Sequence, residues 1–189
     1  MKVVLASRSP RRKELLAKIV SDFEIITKET DEELPFGVHP QKGVELLAIR
    51  KGAAVAADLS PDTMIISSDT LVELGGIPLG KPADARDAVE ILMSLSGKEH
   101  NVHTGVAVHY KGRVYSGVDT ARVKFRAFDE AEARDYVATG EPMDKAGAYA
   151  IQGIGAKLVL GYDGEFDAIV GLGLKLTEKL MNEAAENGR

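Results

Sequence analysis

Leu5-Ala6-Ser7-Arg8-Ser9-Pro10-Arg11-Arg12-Lys13-Glu14-Leu15-Leu16 is the stretch on which the fold turns. Lys2 to Ala6 read as a short strand, Ser9 as a helix N-cap and Pro10 as the first helical residue. Leu15, Leu16 and Ile19 then supply an apolar face at helical spacing. Arg11 and Arg12 fall in the first helical turn, where the helix dipole is already positive and acidic side chains are preferred. Basic residues set against that preference, beside a serine-bearing loop and the free N–H groups of a helix start, make a site for a polyanion. The competing reading is a pair of solvated arginines on an ordinary surface helix. It leaves unexplained why cap, proline and apolar register agree on where the helix begins.

The 189 residues, 44% hydrophobic and 28% charged, suit one globular domain spanning 1–189, long enough to bury a full core without staples. The absence of cysteine excludes disulfides and thiolate metal sites and suits a reducing cytosol. No signal-like run opens the chain and no apolar stretch is long enough to span a bilayer, so a cytoplasmic protein without a membrane partner is expected. A net charge of -5 argues against a broad footprint for nucleic acid. Phosphate chemistry here must use a local cluster.

Further along, Phe23 to Thr27 read as a second strand ending in the acidic run Glu29 to Glu33. Val44 to Ala57 have a helical pattern, and Met64 to Ser67 a nearly continuous apolar strand that ends in Ser68-Asp69-Thr70. Gly75-Gly76 signals a tight turn between Leu71–Leu74 and Ile77–Leu79. Ala83 to Leu95 form an amphipathic helix; His100–Tyr110 and Val114–Phe125 are long strand-like runs joined at Lys111-Gly112. Ala131 to Ala138 look helical, Tyr162-Asp163-Gly164 reads as a hairpin turn, and a helix from Leu174 to Glu186 closes the chain. Mixed βα units and long hairpins argue for an α/β fold with a mixed sheet.

Asp69, placed after a buried strand, is the leading catalytic candidate, because a carboxylate there can poise a water or hold a divalent cation. It can equally be a turn cap within Ser68-Asp69-Thr70. Asp31, Glu32 and Glu33 offer hard oxygen ligands for Mg²⁺ or Mn²⁺, or are simply a solvated loop. Gly75 to Lys81 fit the opening of a Walker A pattern, but Pro82 stands where Ser or Thr would hold Mg²⁺, so a P-loop is rejected. Lys81 remains able to reach a phosphate as a point charge. Lys51 reads as a snorkelling surface lysine unless context promotes it. Gln152 either reads an amide edge of a base with its donor–acceptor pair or ties down its glycine-rich loop. His100 and His103 lie three apart, on opposite faces of a strand, and make a poor chelating pair. Gly153-x-Gly155 lacks the third glycine of a dinucleotide fingerprint.

Ser7-Arg8-Ser9-Pro10-Arg11-Arg12, Thr30-Asp31-Glu32, Leu47-Ala48-Ile49-Arg50-Lys51, Ser68-Asp69-Thr70-Leu71-Val72, Gly80-Lys81-Pro82, Glu141-Pro142-Met143-Asp144-Lys145-Ala146-Gly147-Ala148-Tyr149 and Ile151-Gln152-Gly153 occur in register. In these runs the chain resembles, end to end, the Maf family of nucleoside triphosphate pyrophosphatases. The resemblance implies an α/β fold like that of the inosine triphosphate pyrophosphatases, with a long bent mixed sheet and a deep cleft between two lobes. It implies hydrolysis of a nucleoside triphosphate to monophosphate and pyrophosphate with a divalent metal, Mg²⁺ or Mn²⁺. By position, Asp69 would activate water, Glu32 with Asp69 would meet the metal, and Ser7, Arg11, Arg12, Lys51 and Lys81 would surround the triphosphate. Arg12, Thr70 and Gln152 match the specificity positions of the branch acting on dTTP and UTP, not the branch acting on 7-methyl-GTP. A homodimer is a further expectation from the family. Two residues depart from its pattern: Gly52 stands in place of Ala, and Gly173 in place of Pro. A nucleotide-binding regulator of cell division, without catalysis, is the alternative in another class, since the family is linked to inhibition of septum formation.

Overall fold

Three long strands carry the architecture: β3 (Thr63–Leu74), β5 (Glu99–Tyr110) and β6 (Arg113–Phe125). A computed structural model, describing residues 2–188, sets them among β1 (Lys2–Leu5), β2 (Glu24–Ile25), β4 (Ile77–Leu79) and β7 (Val159–Asp163). The helices are α1 (Pro10–Leu16), α2 (Pro40–Ala56), α3 (Ala85–Leu95), α4 (Glu130–Ala138), α5 (Phe166–Val170) and α6 (Leu174–Asn187). Together the strands make a seven-stranded sheet in the order β2-β1-β3-β5-β6-β7, with β4 added on β3. β1 runs parallel to β2 and β3, while β3, β5, β6 and β7 pair antiparallel, so the expected α/β fold with a mixed sheet is present. Among the described residues no helix is long and apolar enough to cross a membrane.

Alternation along the strands sorts the side chains. On one face, Met64 and Ile66 of β3 meet Val106 and Val108 of β5, with Leu15 and Leu16 of α1 and Leu180 and Ala184 of α6. Further along the same face, Val72 and Val102 join Leu92 and Leu95 of α3, Tyr136 and Val137 of α4, and Phe125. Between these two apolar clusters the strands turn to hydroxyls: Ser68, Thr70 and Thr104. Ser68 Oγ donates to the Gly171 carbonyl at 2.9 Å and Thr104 Oγ1 to that of Ala168 at 2.7 Å. A buried polar belt of this kind is stable only because its hydrogen bonds are made. It separates two lobes that share one continuous sheet.

The other face is covered by α2, which buries Val44, Leu47, Ala48 and Val55. The helix sits close because glycine occupies the contact on both sides, Gly105 in β5 and Gly52 in α2 itself. A Cβ on Gly105 would lie 2.5 Å from the Val44 carbonyl oxygen, and one on Gly52 would lie 2.4 Å from the His109 ring. His109 Nε2–H donates to the Ile49 carbonyl at 3.1 Å, so the imidazole fills the space that alanine would occupy at position 52.

Several elements differ from expectation. The strand expected over Met64–Ser67 continues to Leu74, since β5 pairs with it from Ile65 to Glu73, and Asp69 is therefore mid-strand. Phe23–Thr27 contributes only Glu24–Ile25, an edge pair against β1. Tyr162-Asp163-Gly164 is no hairpin: Val159–Asp163 pairs with distant β6, and Phe166–Val170 is helical. Gly164 makes that departure possible, with φ +121° and no room for a Cβ against Ala121. α2 begins at Pro40, ahead of the expected Val44, with proline at its first turn. The turns at Gly75-Gly76 and Lys111-Gly112 have positive φ throughout, as hairpins of two residues require.

Two outcomes follow from this packing. Gly52→Ala should lose about 1–3 kcal/mol despite the better helix propensity of alanine, because the overpacking against His109 outweighs it. Urea unfolding would check this; His109→Ala in the same chain should restore part of the loss, and a stabilised single variant would contradict it. His100 is buried beside Phe125 and Tyr149, and burial pulls its imidazole down to about 4. The folded state thus resists a proton that the unfolded chain accepts near pH 6.5, so stability should fall as pH drops from about 6.5 to about 4. His100→Asn should flatten that slope in urea midpoints measured between pH 7.5 and 5; an unchanged slope would point to another group.

Candidate active site

β3 has one edge paired without a break from Ile65 to Glu73 and one interrupted edge. On the interrupted side β1 pairs with Thr63–Ile66 and β4 with Val72–Leu74, leaving Ser67–Leu71 with no strand beside them among the described residues. Because the edge is open, side chains from both faces of β3 reach the same space. Asp69 points to the α2 face and Thr70 to the α1 and α5 face, yet both line one cleft of about 680 Å³. Ser7, Arg11, Arg12, Glu32, Lys51, Lys81 and Gln152 line it too, whereas Asp31 and Glu33 of the acidic run do not. The cleft collects seven Lys and Arg against four Asp and Glu, in a chain whose net charge is -5. The local cluster required for phosphate chemistry exists.

Lys51 is the hinge of the charge pattern. Its Nζ lies 2.5 Å from Asp69 Oδ1 and 2.8 Å from Glu32 Oε1. It does not snorkel to bulk water: α2 aims it across the open edge, where Ala48, one turn earlier, receives the Ser67 hydroxyl at 2.7 Å. Glu32 sits on a loop without regular structure. Arg50 holds that loop through the Glu33 carbonyl at 2.5 Å, and Asp31 Oδ1 caps it by accepting from Glu33 N at 2.8 Å. Asp31 and Glu33 are thus loop-formers, and Glu32 is the member of the acidic run turned inward. The hydrogen bond from Lys51, aided by Lys81 and Arg12, holds the Glu32 carboxyl below its usual range against the opposing effect of burial. Sequence reasoning gave Arg50 no role; its place next to Lys51, a 100° rotation away on the helix, was the available signal.

Arg12 is built in more firmly than a surface arginine. Nε donates to the Gly171 carbonyl at 2.9 Å, Nη2 to Thr70 Oγ1 at 3.3 Å and Nη1 to Ser7 Oγ at 3.4 Å. Burial lowers its pKa, Arg11 adds to that effect, and Asp69 and Glu32 oppose it. The helix start contributes less to anion binding than the sequence suggests. Pro10 has no N–H, and Ser9 Oγ accepts from Arg12 N at 3.4 Å, so the side chains of Ser7, Arg11 and Arg12 are the donors that matter.

The far wall of the cleft carries Lys145, Tyr149 and Gln152. Gln152 has no hydrogen bond among the described residues, so its amide does not tie the loop and is free to face a ligand. His100 and His103 diverge as expected: one bonds Tyr149 OH at 2.8 Å, the other Glu73 and Thr120, each at 2.9 Å.

The donor set suits a hard divalent cation. Glu32 and Asp69 both lie within ion-pair reach of one ammonium, which places their oxygens around a common point, and such a cation needs only one or two protein carboxylates when phosphates complete its shell. No group of three or more His, Asp or Glu among the described residues can hold a metal alone, so binding there would depend on the phosphates.

The chain matches the family model described as Maf-like protein over residues 2–184. It is 45% identical over 187 residues to a dTTP/UTP pyrophosphatase of Pelotomaculum thermopropionicum, covering 98% of this chain and 97% of the relative. It is 47% identical over 182 residues to a dTTP/UTP pyrophosphatase of Moorella thermoacetica, covering 95% and 93%. The chain therefore belongs to the Maf family. Among solved structures, the Ham1 protein of Staphylococcus aureus has the same fold, with a TM-score of 0.54 at 14% identity over 99% of this chain and 95% of that one.

Because the three Arg12 donors satisfy three separate acceptors, Arg12→Lys keeps the charge and loses the fork. It should cost about 1–3 kcal/mol of stability, read as a lowered midpoint in urea, besides weakening phosphate binding. An unchanged midpoint would show that the contacts to Gly171 and Thr70 contribute nothing.

Proposed function

We propose that this cleft hydrolyses dTTP and UTP to the nucleoside monophosphate and pyrophosphate. The observation that carries the reading is the Asp69–Lys51–Glu32 arrangement at the open edge of β3, facing the arginine-bearing start of α1. A protein that only binds phosphate has no use for two carboxylates there, since each repels the anion. A hydrolase needs both. The choice of dTTP and UTP comes from the relatives named above and agrees with Arg12, Thr70 and Gln152 at the cleft wall.

In this mechanism the triphosphate lies along Ser7, Arg11, Arg12 and Lys81, whose donors and charges offset the anion as pyrophosphate leaves. Asp69 accepts a proton from water as the water oxygen bonds to phosphorus and the bridging P–O bond breaks. Glu32 and Asp69 are the residues that would hold Mg²⁺ or Mn²⁺, which when bound neutralises charge on the triphosphate. Lys51 neutralises the two carboxylates before substrate arrives and is positioned to exchange one of them for a phosphate oxygen. Gln152 presents an amide whose donor and acceptor match the N3–H and carbonyl edge of thymine or uracil.

The test is pyrophosphate release from a panel of nucleoside triphosphates with Mg²⁺ or Mn²⁺, alongside Asp69→Asn. Release from dTTP and UTP is expected, falling by about 10²–10⁴-fold in the variant while its melting temperature holds. Turnover of 7-methyl-GTP alone would move the chain to another branch. No turnover of any member by the folded wild type would overturn the enzyme reading in favour of a nucleotide-binding regulator.

A further inference from the structure

The run Glu141 to Tyr149 belongs to the cleft's far wall, yet Glu141 itself does not line the cleft. We propose that Glu141 is a positioning residue for base selection, clamping the loop that presents Gln152. The inference rests on the pyrophosphatase reading for its substrate arm only.

Gln152 is exposed in the cleft and its amide makes no hydrogen bond, so its placement must come from its neighbours in the chain. Those neighbours are fixed on both sides. After it, Ile154 N donates to Glu141 Oε1 at 3.0 Å and Gly155 N to Oε2 at 2.9 Å. Before it, Ala150 N donates to the Tyr136 hydroxyl at 3.2 Å, and that hydroxyl donates to Glu141 Oε2 at 2.6 Å. One carboxylate, with the tyrosine it engages, therefore anchors residues 150, 154 and 155. Gln152 is held at the middle of the span.

The two glycines of this loop are shaped to the clamp. Gly153 has φ +73°, and a Cβ there would lie 2.3 Å from Glu141 Oε1. A Cβ on Gly155 would meet Tyr136 OH at 2.4 Å and the Ala150 carbonyl at 2.5 Å. The Gly-x-Gly spacing that fails as a dinucleotide fingerprint is thus a carboxylate nest within the protein. Burial pushes the Glu141 carboxyl up, but the donors from Tyr136, Ile154 and Gly155, with Lys145 nearby, hold it below its usual range. The Tyr136 phenol is pushed up by burial and then by Glu141, so it stays a donor. Lys145 Nζ in turn donates to the Glu141 carbonyl at 3.0 Å, which ties the clamp to a side chain that does line the cleft.

Glu141→Gln separates this role from plain scaffolding. The amide keeps the volume but offers only one acceptor atom to three donors and turns an N–H toward a backbone N–H. Its kcat/KM for dTTP should fall about tenfold, carried by KM with kcat within about twofold, because charge-assisted hydrogen bonds that only place a binding group are lost. In a Gln152→Ala background the same substitution should add less than about a twofold change, since residues acting through one group are not additive. Additive losses, or a loss carried by kcat, would overturn the proposal. Amide exchange decides the clamp independently of substrate: protection of Ile154 and Gly155 should drop in Glu141→Gln while that of β5 is kept, and unchanged protection would refute the clamp. Wild-type protein that fails to cleave dTTP or UTP would instead refute the pyrophosphatase reading, with the exchange result still standing.

Discussion

An interrupted sheet edge governs this molecule. β3 is paired with β5 from Ile65 to Glu73 on one side, yet on the other β1 pairing ends at Ile66 and β4 pairing resumes only at Val72. Strand edges are normally covered, because unpaired N–H and C=O groups invite association. Here the exposed stretch Ser67–Leu71 is roofed by α1, α2 and the Glu32 loop, and the roof leaves a cleft. The open edge lets consecutive residues on opposite faces, Asp69 and Thr70, serve one site. A fully paired β3 would bury one of them behind its neighbour.

The same constraint sets the electrostatics. Carboxylates and cations alternate from Glu32 through Lys51 to Asp69, and Arg12 closes the pattern from the other face. Without the lysine, two carboxylates would face each other across a half-buried gap. Without the carboxylates, the cationic cleft would bind a triphosphate and hold it. Gly52 within α2 and Gly105 beneath it bring Lys51 to this point, since they let the helix approach the sheet more closely than any larger residue would. Departure from the family at position 52 is answered locally by His109. At position 173 the answer is Asp119, whose Oδ2 occupies the space where a Cβ would be, only 1.8 Å from it.

Much of this was legible in the residues themselves. Ser9-Pro10 marks the start of α1, and Gly75-Gly76 and Lys111-Gly112 mark their hairpins, whereas Ser68-Asp69-Thr70, read as the end of a strand, lies within one. What escaped depended on distant partners. The length of β3 comes from β5, whose pairing extends well past the last aliphatic residue of the Met64–Ser67 run. Val159–Asp163 pairs with β6 and so cannot fold back on the segment after Gly164, whatever its turn chemistry favours. Among site residues, side-chain chemistry alone could not distinguish Glu32 from Asp31 and Glu33; the family resemblance pointed to Glu32. The hold of Arg50 on the loop backbone, the Asp31 cap and the pull of Lys51 together turn Glu32 inward. Gln152 is ambiguous in sequence for the same reason: Glu141 and Tyr136, distant in the chain, tie the loop in place of its amide.

In the proposed mechanism triphosphate, carboxylates and cation meet at the open edge of β3. A crystal structure with a non-hydrolysable α,β-methylene analogue of dTTP and Mn²⁺ tests this most directly. The triphosphate is expected against Arg11, Arg12 and Lys81, with Mn²⁺ bound to oxygens of Glu32 and Asp69. Lys51 is also expected to have left at least one of those carboxylates. A nucleotide bound away from Ser67–Leu71, or Lys51 still bridging Asp69 and Glu32 beneath it with no metal at either, would contradict the account.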